Sequence, residues 1–405
     1  MAQKIVICSD GTGNAWSKQV SNVTRLITHL DLSQAAKQRV FYDQGLGTDP
    51  GLADAVTKYR DERPEERTAL TVLEPPIALP VAQQLAKVGG LVCGLGLRSN
   101  VKQLYKALAD AYTDGPPERR SAIYLIGFSR GAFTVRVLAG LIHRCGLLHR
   151  DHPRYSAAFR RAYRLYKPHT RNETEIARFK KDEDVLTPNI TFLGIWDTVK
   201  SYGGVWPKSL PHLRHNSSVE CVRHALALDE RRSWFLPTSW GGIDSDAPRT
   251  ESTARHAAQS VEEIWFRGAH SDVGGGLDDD VASRAPLRWM LNEAAAAGLT
   301  LTDEGWSRAA EADPKPEDVK PYDSLRDWLV SEYVPRWELD NHFEPPKRYF
   351  KCGRSGVRNP AQFARQQTVR LHSSVGPLQD VVRSYVETRL APRPAPRHDD
   401  ERSMT

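Results

Sequence analysis

Ser129 is the residue of this chain best placed for nucleophilic chemistry. It stands at the centre of Gly127-Phe-Ser-Arg-Gly131, a G-x-S-x-G pattern. On a sharp strand-to-helix turn such a serine is held in a strained backbone conformation with its hydroxyl pushed outward. The flanking glycines are needed because a Cβ at either would collide with the adjoining strand or helix. The N-terminus of the following helix then favours negative charge developing above it. With glycine near 7% of residues, the pattern arises by chance in about one chain of this length in ten. What accompanies it therefore decides. Asp197 and His270 follow, giving the order Ser, Asp, His that one class of catalytic triad uses along the chain.

In that reading Ser129 Oγ attacks an acyl carbonyl, and His270 takes its proton as general base and passes it to the leaving alcohol. Asp197 holds the imidazole tautomer and stabilises the imidazolium. The oxyanion would meet the backbone N–H of Arg130, the residue after the nucleophile. A second N–H is expected from the Asp10–Asn14 loop, supplied by Gly11 or Thr12. Asp272 competes for the acid role, since on an extended segment it would share a side with His270. The Gly274-Gly-Gly276 run lets that loop bend, and an acid from a separate strand can reach Nδ1 while Nε2 faces the serine, so Asp197 is favoured. Asp272 is left to bond the surrounding loop or to bind a cation together with Asp10. Two other readings compete. One is a metal-assisted phosphoesterase using Asp10, Asp197, His270 and Asp272. The other is a non-catalytic binding module on the same fold.

These side chains need elements that bring them together. Ile123-Tyr-Leu-Ile-Gly-Phe128 reads as a buried strand, and Phe133, Val137, Leu138, Leu141 and Ile142 then follow at helical spacing. Lys4–Cys8, Arg39–Asp43, Ile190–Ile195 and Ile264–Phe266 read as further strands. Asp10, Asp43, Ser129, Asp197 and His270 each fall just past the C-terminal end of one, the edge where open α/β sheets bind ligands. Helices are expected over Val23–Leu30, after a cap at Ser99 or Asn100, over Ser218–Leu228 and over about Pro286–Ala297. A helix carrying Tyr155, Phe159, Tyr163 and Tyr166 reads as a solvated cap or a substrate lid. Strands alternating with helices predict an α/β fold of the α/β-hydrolase kind, with a mainly parallel sheet covered on both faces. The catalytic domain is expected over 1–300, with insertions at about 48–86 and 150–185. A helical or irregular appendage (301–390) and a disordered, proline-rich tail (391–405) would follow. The glycine-rich run Gly89–Leu97 is expected to pack against backbone or line a pocket.

Composition narrows the class. The 405 residues are 40% hydrophobic and 26% charged, which suits a globular protein with a large core. The formal charge of +6 is compatible with peripheral contact at an anionic membrane surface, while no basic-aromatic motif points to nucleic acid. Five scattered cysteines without a C-x-x-C argue against a disulfide framework and exclude a cysteine zinc site. Asp10–Asn14 is not a dinucleotide loop, because Trp16 stands where the third glycine belongs. No cofactor and no resident metal are expected. The N-terminus shows no leader-like apolar region, so a cytoplasmic site of synthesis is expected, with any export leaderless.

Taken together, six motifs resemble a large α/β-hydrolase family that includes the catalytic domain of the first group of type VI secretion lipase effectors. They are Ser9–Asn14, Tyr42–Thr48, Gly127–Phe133, Trp196–Val199, His224–Arg232 and Trp265–Gly276. The resemblance runs along most of residues 3–300. It implies a triad of Ser129, Asp197 and His270 and ester hydrolysis, with phospholipids as substrates in the effector members. It points to the type VI secretion apparatus or an immunity protein as a partner to look for. The chain departs from those effectors after residue 300, where no membrane-inserting segment is evident.

Overall fold

In the computed structural model, the sheet grows outward from two neighbouring strands. The structure describes residues 2–11, 20–45, 62, 68–73, 97–167, 173–199, 210, 212–213, 216–232, 235, 237–240, 259–324, 336–338, 347–349 and 370–375. β1 (Lys4–Ser9) lies beside β4 (Ala122–Phe128), with Ser9 opposite Gly127. β2 (Gln38–Asp43) and β3 (Leu70–Leu73) extend the sheet on the β1 side. β5 (Ile190–Trp196), β6 (Val219–Ala227) and β7 (Ser260–Phe266) extend it on the β4 side. A separate antiparallel pair, β8 (Arg336–Glu338) and β9 (Lys347–Tyr349), follows, and β10 (Arg370–Leu371) then closes the main sheet beside β7. The eight strands run β3-β2-β1-β4-β5-β6-β7-β10, and all their pairings are parallel.

Growth reverses direction between β1 and β4. In an open parallel sheet, connections leave such a point to opposite sides and open a crevice at the carboxyl ends of the strands. Asp10 directly follows β1 and Ser129 directly follows β4, so the two lie on either side of that crevice.

The inner strands β1, β4 and β5 are apolar on both faces, as a sheet covered on both sides requires. In β1, Ile5 and Ile7 enter one core layer while Val6 and Cys8 enter the other. α1 (Asn22–Thr28) belongs to the second layer. α2 (Leu97–Ala111), α3 (Ser129–Cys145), α4 (Tyr155–Tyr166) and α5 (Glu173–Asp182) build the first. After the short α6 (His270–Gly274), α7 (Val281–Ala296) and α8 (Asp303–Ala310) complete the second. This is the expected mainly parallel α/β architecture.

Several local expectations change. Ser218–Leu228 is not a helix: it is the strand β6, fully buried from Ala225 to Ala227. β3 lies inside the 48–86 stretch expected as an insertion, and belongs to the main sheet. The aromatic stripe of α4 is not a solvated cap, because Phe159, Tyr163 and Tyr166 are buried in the first layer with Phe179 of α5. Ser99 and Asn100 do not cap α2, which already begins at Leu97. α7 begins at Val281, so Pro286 lies within it. Part of the region after 300 joins the sheet through β10. The glycine-rich run to Gly96, Thr12 and the tail from 391 lie outside the described residues.

Candidate active site

β4 passes directly into α3: Phe128 ends the strand and Ser129 starts the helix. The turn holds Ser129 at φ 56°, a left-handed conformation that costs a non-glycine residue on the order of 1 kcal/mol. The flanking glycines are what allow it. A Cβ at Gly131 would stand 2.0 Å from the Ser9 carbonyl oxygen, and one at Gly127 would stand 2.7 Å from the Ala132 backbone. The first turn of α3 thus seats on the end of β1 at a distance only a residue without a side chain permits.

Asp197 follows the last residue of β5 and is also left-handed, at φ 35°. His270 opens α6 just beyond β7. Three strands therefore deliver three side chains to one point. His270 Nδ1 lies 2.6 Å from Asp197 Oδ2, and His270 Nε2 lies 2.7 Å from Ser129 Oγ. Asp197 also accepts the Ala227 N–H at Oδ1, 3.1 Å away. A carboxylate only accepts, so Nδ1 carries the imidazole proton and Nε2 is left to accept from the serine hydroxyl. Ser129, Asp197 and His270 are all buried. The imidazole contacts the rings of Phe128 and Phe235, with centroids 4.7 and 4.9 Å away. Burial pushes the His270 pKa below its ordinary value; the hydrogen bond and charge of Asp197 work the other way, as does Glu230, while Arg232 adds to the depression. A neutral imidazole with a bare Nε2 is the form a general base needs.

Asp272 does not reach the imidazole. The segment is helical rather than extended, and Asp272 Oδ2 turns back to accept the N–H groups of Ala269 and Tyr322, each at 2.8 Å. Burial raises its pKa to about 6. Glu230 supports the same loop, its Oε2 accepting the His270 N–H at 3.2 Å and its Oε1 the Ser324 hydroxyl at 2.9 Å. Two carboxylates thus tie the histidine loop to residues 322–324. Sequence reasoning missed Glu230 in this role. Its neighbour Arg232 pairs with it and stacks over Phe235, 3.6 Å from the ring centroid. Together they read as an ordinary surface ion pair until the fold buries the glutamate.

On the other side of the crevice, Asp10 is buried and fully engaged. It accepts the Gly11 N–H at 2.7 Å, the Ser21 hydroxyl at 2.5 Å and the Tyr42 hydroxyl at 3.0 Å. Burial raises its pKa to about 6 against those hydrogen bonds. Asp43 anchors the strand ends beneath, accepting from Ser9 Oγ at 2.8 Å and Asn100 Nδ2 at 3.0 Å. The Gly11 backbone lies against Ser129: a Cβ there would be 3.2 Å from Ser129 Cβ. Its N–H, however, is directed to Asp10 rather than into the crevice. Arg130 supplies one of the first-turn N–H groups of α3. Asp10 and Asp272 are each engaged by separate sets of donors, Asp10 by Gly11, Ser21 and Tyr42 and Asp272 by Ala269 and Tyr322. Among the described residues, no three His, Cys, Asp or Glu side chains gather where they could hold a metal ion.

The profile of a family described as "T6SS, Phospholipase effector Tle1-like, catalytic domain" matches residues 3–293, a span that encloses all three of these side chains. The chain belongs to this family. A relative in Saccharomyces cerevisiae, "Uncharacterized protein YEL023C", is 28% identical over 247 residues, covering 58% of this chain and 32% of the relative. Among solved structures, an uncharacterized protein from Pseudomonas aeruginosa aligns with 77% of this chain and 49% of its own, at 18% identity and a TM-score of 0.37. A Tle1 effector bound to the VgrG spike of the type VI secretion system aligns with 68% of this chain and 51% of its own, at 18% identity and a TM-score of 0.26. The chain therefore spans about a third of the yeast relative and about half of each of these structures. Among the described residues, no helix is long and apolar enough to cross a membrane.

Proposed function

We propose that the chain is a serine hydrolase that cleaves acyl esters of lipids, as a lipase or phospholipase, through an acyl-enzyme on Ser129. The single observation that carries this reading is the unbroken contact from Ser129 Oγ through the His270 ring to the Asp197 carboxylate, at 2.7 and 2.6 Å. In the first half-reaction Oγ adds to the ester carbonyl as His270 Nε2 takes its proton. The tetrahedral oxyanion collapses, the C–O bond to the alcohol breaks, and the imidazolium returns the proton to the departing oxygen. Water repeats the sequence on the acyl-enzyme and frees the acid. Asp197 stabilises the transient imidazolium. The oxyanion is met by the Arg130 N–H and by a second donor from the β1 loop. Because the Gly11 N–H is engaged by Asp10, Thr12 is the better of the two candidates for that donor. Losing one such donor typically costs on the order of 3 kcal/mol in barrier height.

Membership of a phospholipase-effector family supports a phospholipid as the ester. It also supports the type VI secretion apparatus as the route by which the protein leaves its cell. The test combines a fluorophosphonate probe with hydrolysis of a short-chain nitrophenyl ester and of phospholipid vesicles. Wild type should label and hydrolyse both, Ser129→Ala should do neither, and chelator should change nothing. Hydrolysis that survives Ser129→Ala but stops with chelator would replace this reading with the metal-assisted one. A wild type that neither labels nor hydrolyses would leave the binding module.

A further inference from the structure

A second imidazole–carboxylate pair sits one strand further along the sheet. His224 of β6 lies beside Ile195 of β5 on one side and Glu263 of β7 on the other. It is fully buried. Its Nε2 is 3.2 Å from the backbone N of Thr198, the residue after Asp197. Its Nδ1 is 2.7 Å from Glu263 Oε1, which also accepts the Trp240 N–H at 2.6 Å. A backbone N–H can only donate, so Nε2 must accept, and the ring proton must lie on Nδ1, directed at the glutamate.

We propose that His224, locked in its Nδ1–H tautomer by Glu263, is a positioning residue for the catalytic acid: it fixes the Asp197–Thr198 peptide and so holds the left-handed turn that aims the Asp197 carboxylate at His270. The proposal rests on the triad reading above. Its physical reason is the strain at Asp197. A left-handed aspartate persists only where its surroundings hold it, and the neighbouring peptide is held through its N–H by this ring. Thr198 is bound on its other side as well, its carbonyl accepting the Thr238 N–H at 2.8 Å. Protonated at Nε2, His224 would lose its acceptor and face the Thr198 N–H with a second donor. The charged groups around it are Glu263, Arg136 and Asp197, and burial outweighs the carboxylates to push its pKa down. Burial thus favours the neutral ring that the Thr198 N–H contact requires.

Two measurements on the full chain test this. The first is the tautomer of His224, read by NMR of the ¹⁵N-histidine-labelled protein and assigned by loss of its signals in His224→Gln. Nδ1–H with bare Nε2 throughout pH 5.5–8 is expected. An Nε2–H tautomer, or titration to the imidazolium in that range, overturns the proposal whatever the enzyme does. The second is ester hydrolysis normalised to fluorophosphonate-titrated sites. His224→Leu keeps the volume and removes the acceptor. It should lower kcat about 10- to 100-fold with KM within about threefold, as expected for a catalytic group displaced by roughly an ångström. Its acidic limb of kcat/KM should also move to lower pH, because His270 then loses the Asp197 contact that raises its pKa, leaving Arg232 and Glu230 as its other charged neighbours. His224→Gln, whose amide oxygen can accept from Thr198, should recover most of the loss. An unchanged kcat and acid limb in His224→Leu, with Ser129→Ala inactive, would refute the positioning role and leave the triad standing. Full hydrolysis by Ser129→Ala would overturn both.

Discussion

Asp197→Asn should preserve the fold but lower kcat by about 10³- to 10⁴-fold, because the amide holds the wrong imidazole tautomer. Steady-state hydrolysis beside a thermal melt checks both halves of that statement. Gly131→Ala should be worse for stability than for chemistry alone. Its Cβ would overlap the Ser9 carbonyl, so α3 must lift from β1, at a cost of about 2–4 kcal/mol in a denaturant titration. Ser129, Asp197 and His270, far apart along the chain, were legible because each follows an apolar run that reads as a strand. Their supporting residues were not. Glu230, Glu263 and Tyr42 acquire their roles only when other strands deliver a histidine loop, an imidazole or a buried carboxylate to them. No spacing within the chain encodes those meetings.

At the scale of elements, β6 shows where a pattern misleads. Val219, Val222, Ala225 and Leu226 have helical spacing, and Ala and Leu favour helices. A central parallel strand is buried on both faces, so it loses the alternation that would identify it. β1, β4 and β5 escaped the same error because they are short, bounded and rich in branched residues. α3 illustrates how one helix serves two tasks. Beyond Ser129 it carries Arg136, fully buried, whose guanidinium donates to the carbonyls of Leu213, Thr238 and Ser239 and lies over the Trp240 ring. Arg136→Leu would leave those carbonyls without their donor and should cost roughly 3–5 kcal/mol. Chemical denaturation would measure it, and a loss below about 1 kcal/mol would refute the account. The same side chain explains why 238–240 stays close to Thr198, and hence to the acid.

For the molecule as a whole, the parallel order and two-sided core were readable from alternating strands and helices, whereas the contribution of β10 was not, since two residues near the chain's far end carry no pattern. The buried carboxyls also set how global stability responds to acid. Asp10 and Asp272 both have pKa values raised to about 6 from an ordinary 3.8. Between about pH 4 and 6 the folded protein keeps these protons while the unfolded chain has released them. Their ionisation therefore works against folding, and their share of stability is present at low pH and lost as pH rises through 6. Asp272→Asn should remove one such contribution. Relative to wild type, the variant should gain on the order of 1–3 kcal/mol between pH 4.5 and pH 7, measured by urea titration at the two pH values. The opposite sign would mean that the two N–H groups it accepts stabilise the ionised form more than burial opposes it.

The two left-handed turns at Ser129 and Asp197 have a consequence for how the protein fails. Both residues of the proposed triad sit in backbone wells that the isolated segments would leave spontaneously, so their geometry is borrowed from the scaffold around them. On slow warming, turnover should fade several degrees before the aromatic circular-dichroism signal of the core collapses. An acyl or phosphonyl adduct on the serine, filling the crevice, should narrow that interval.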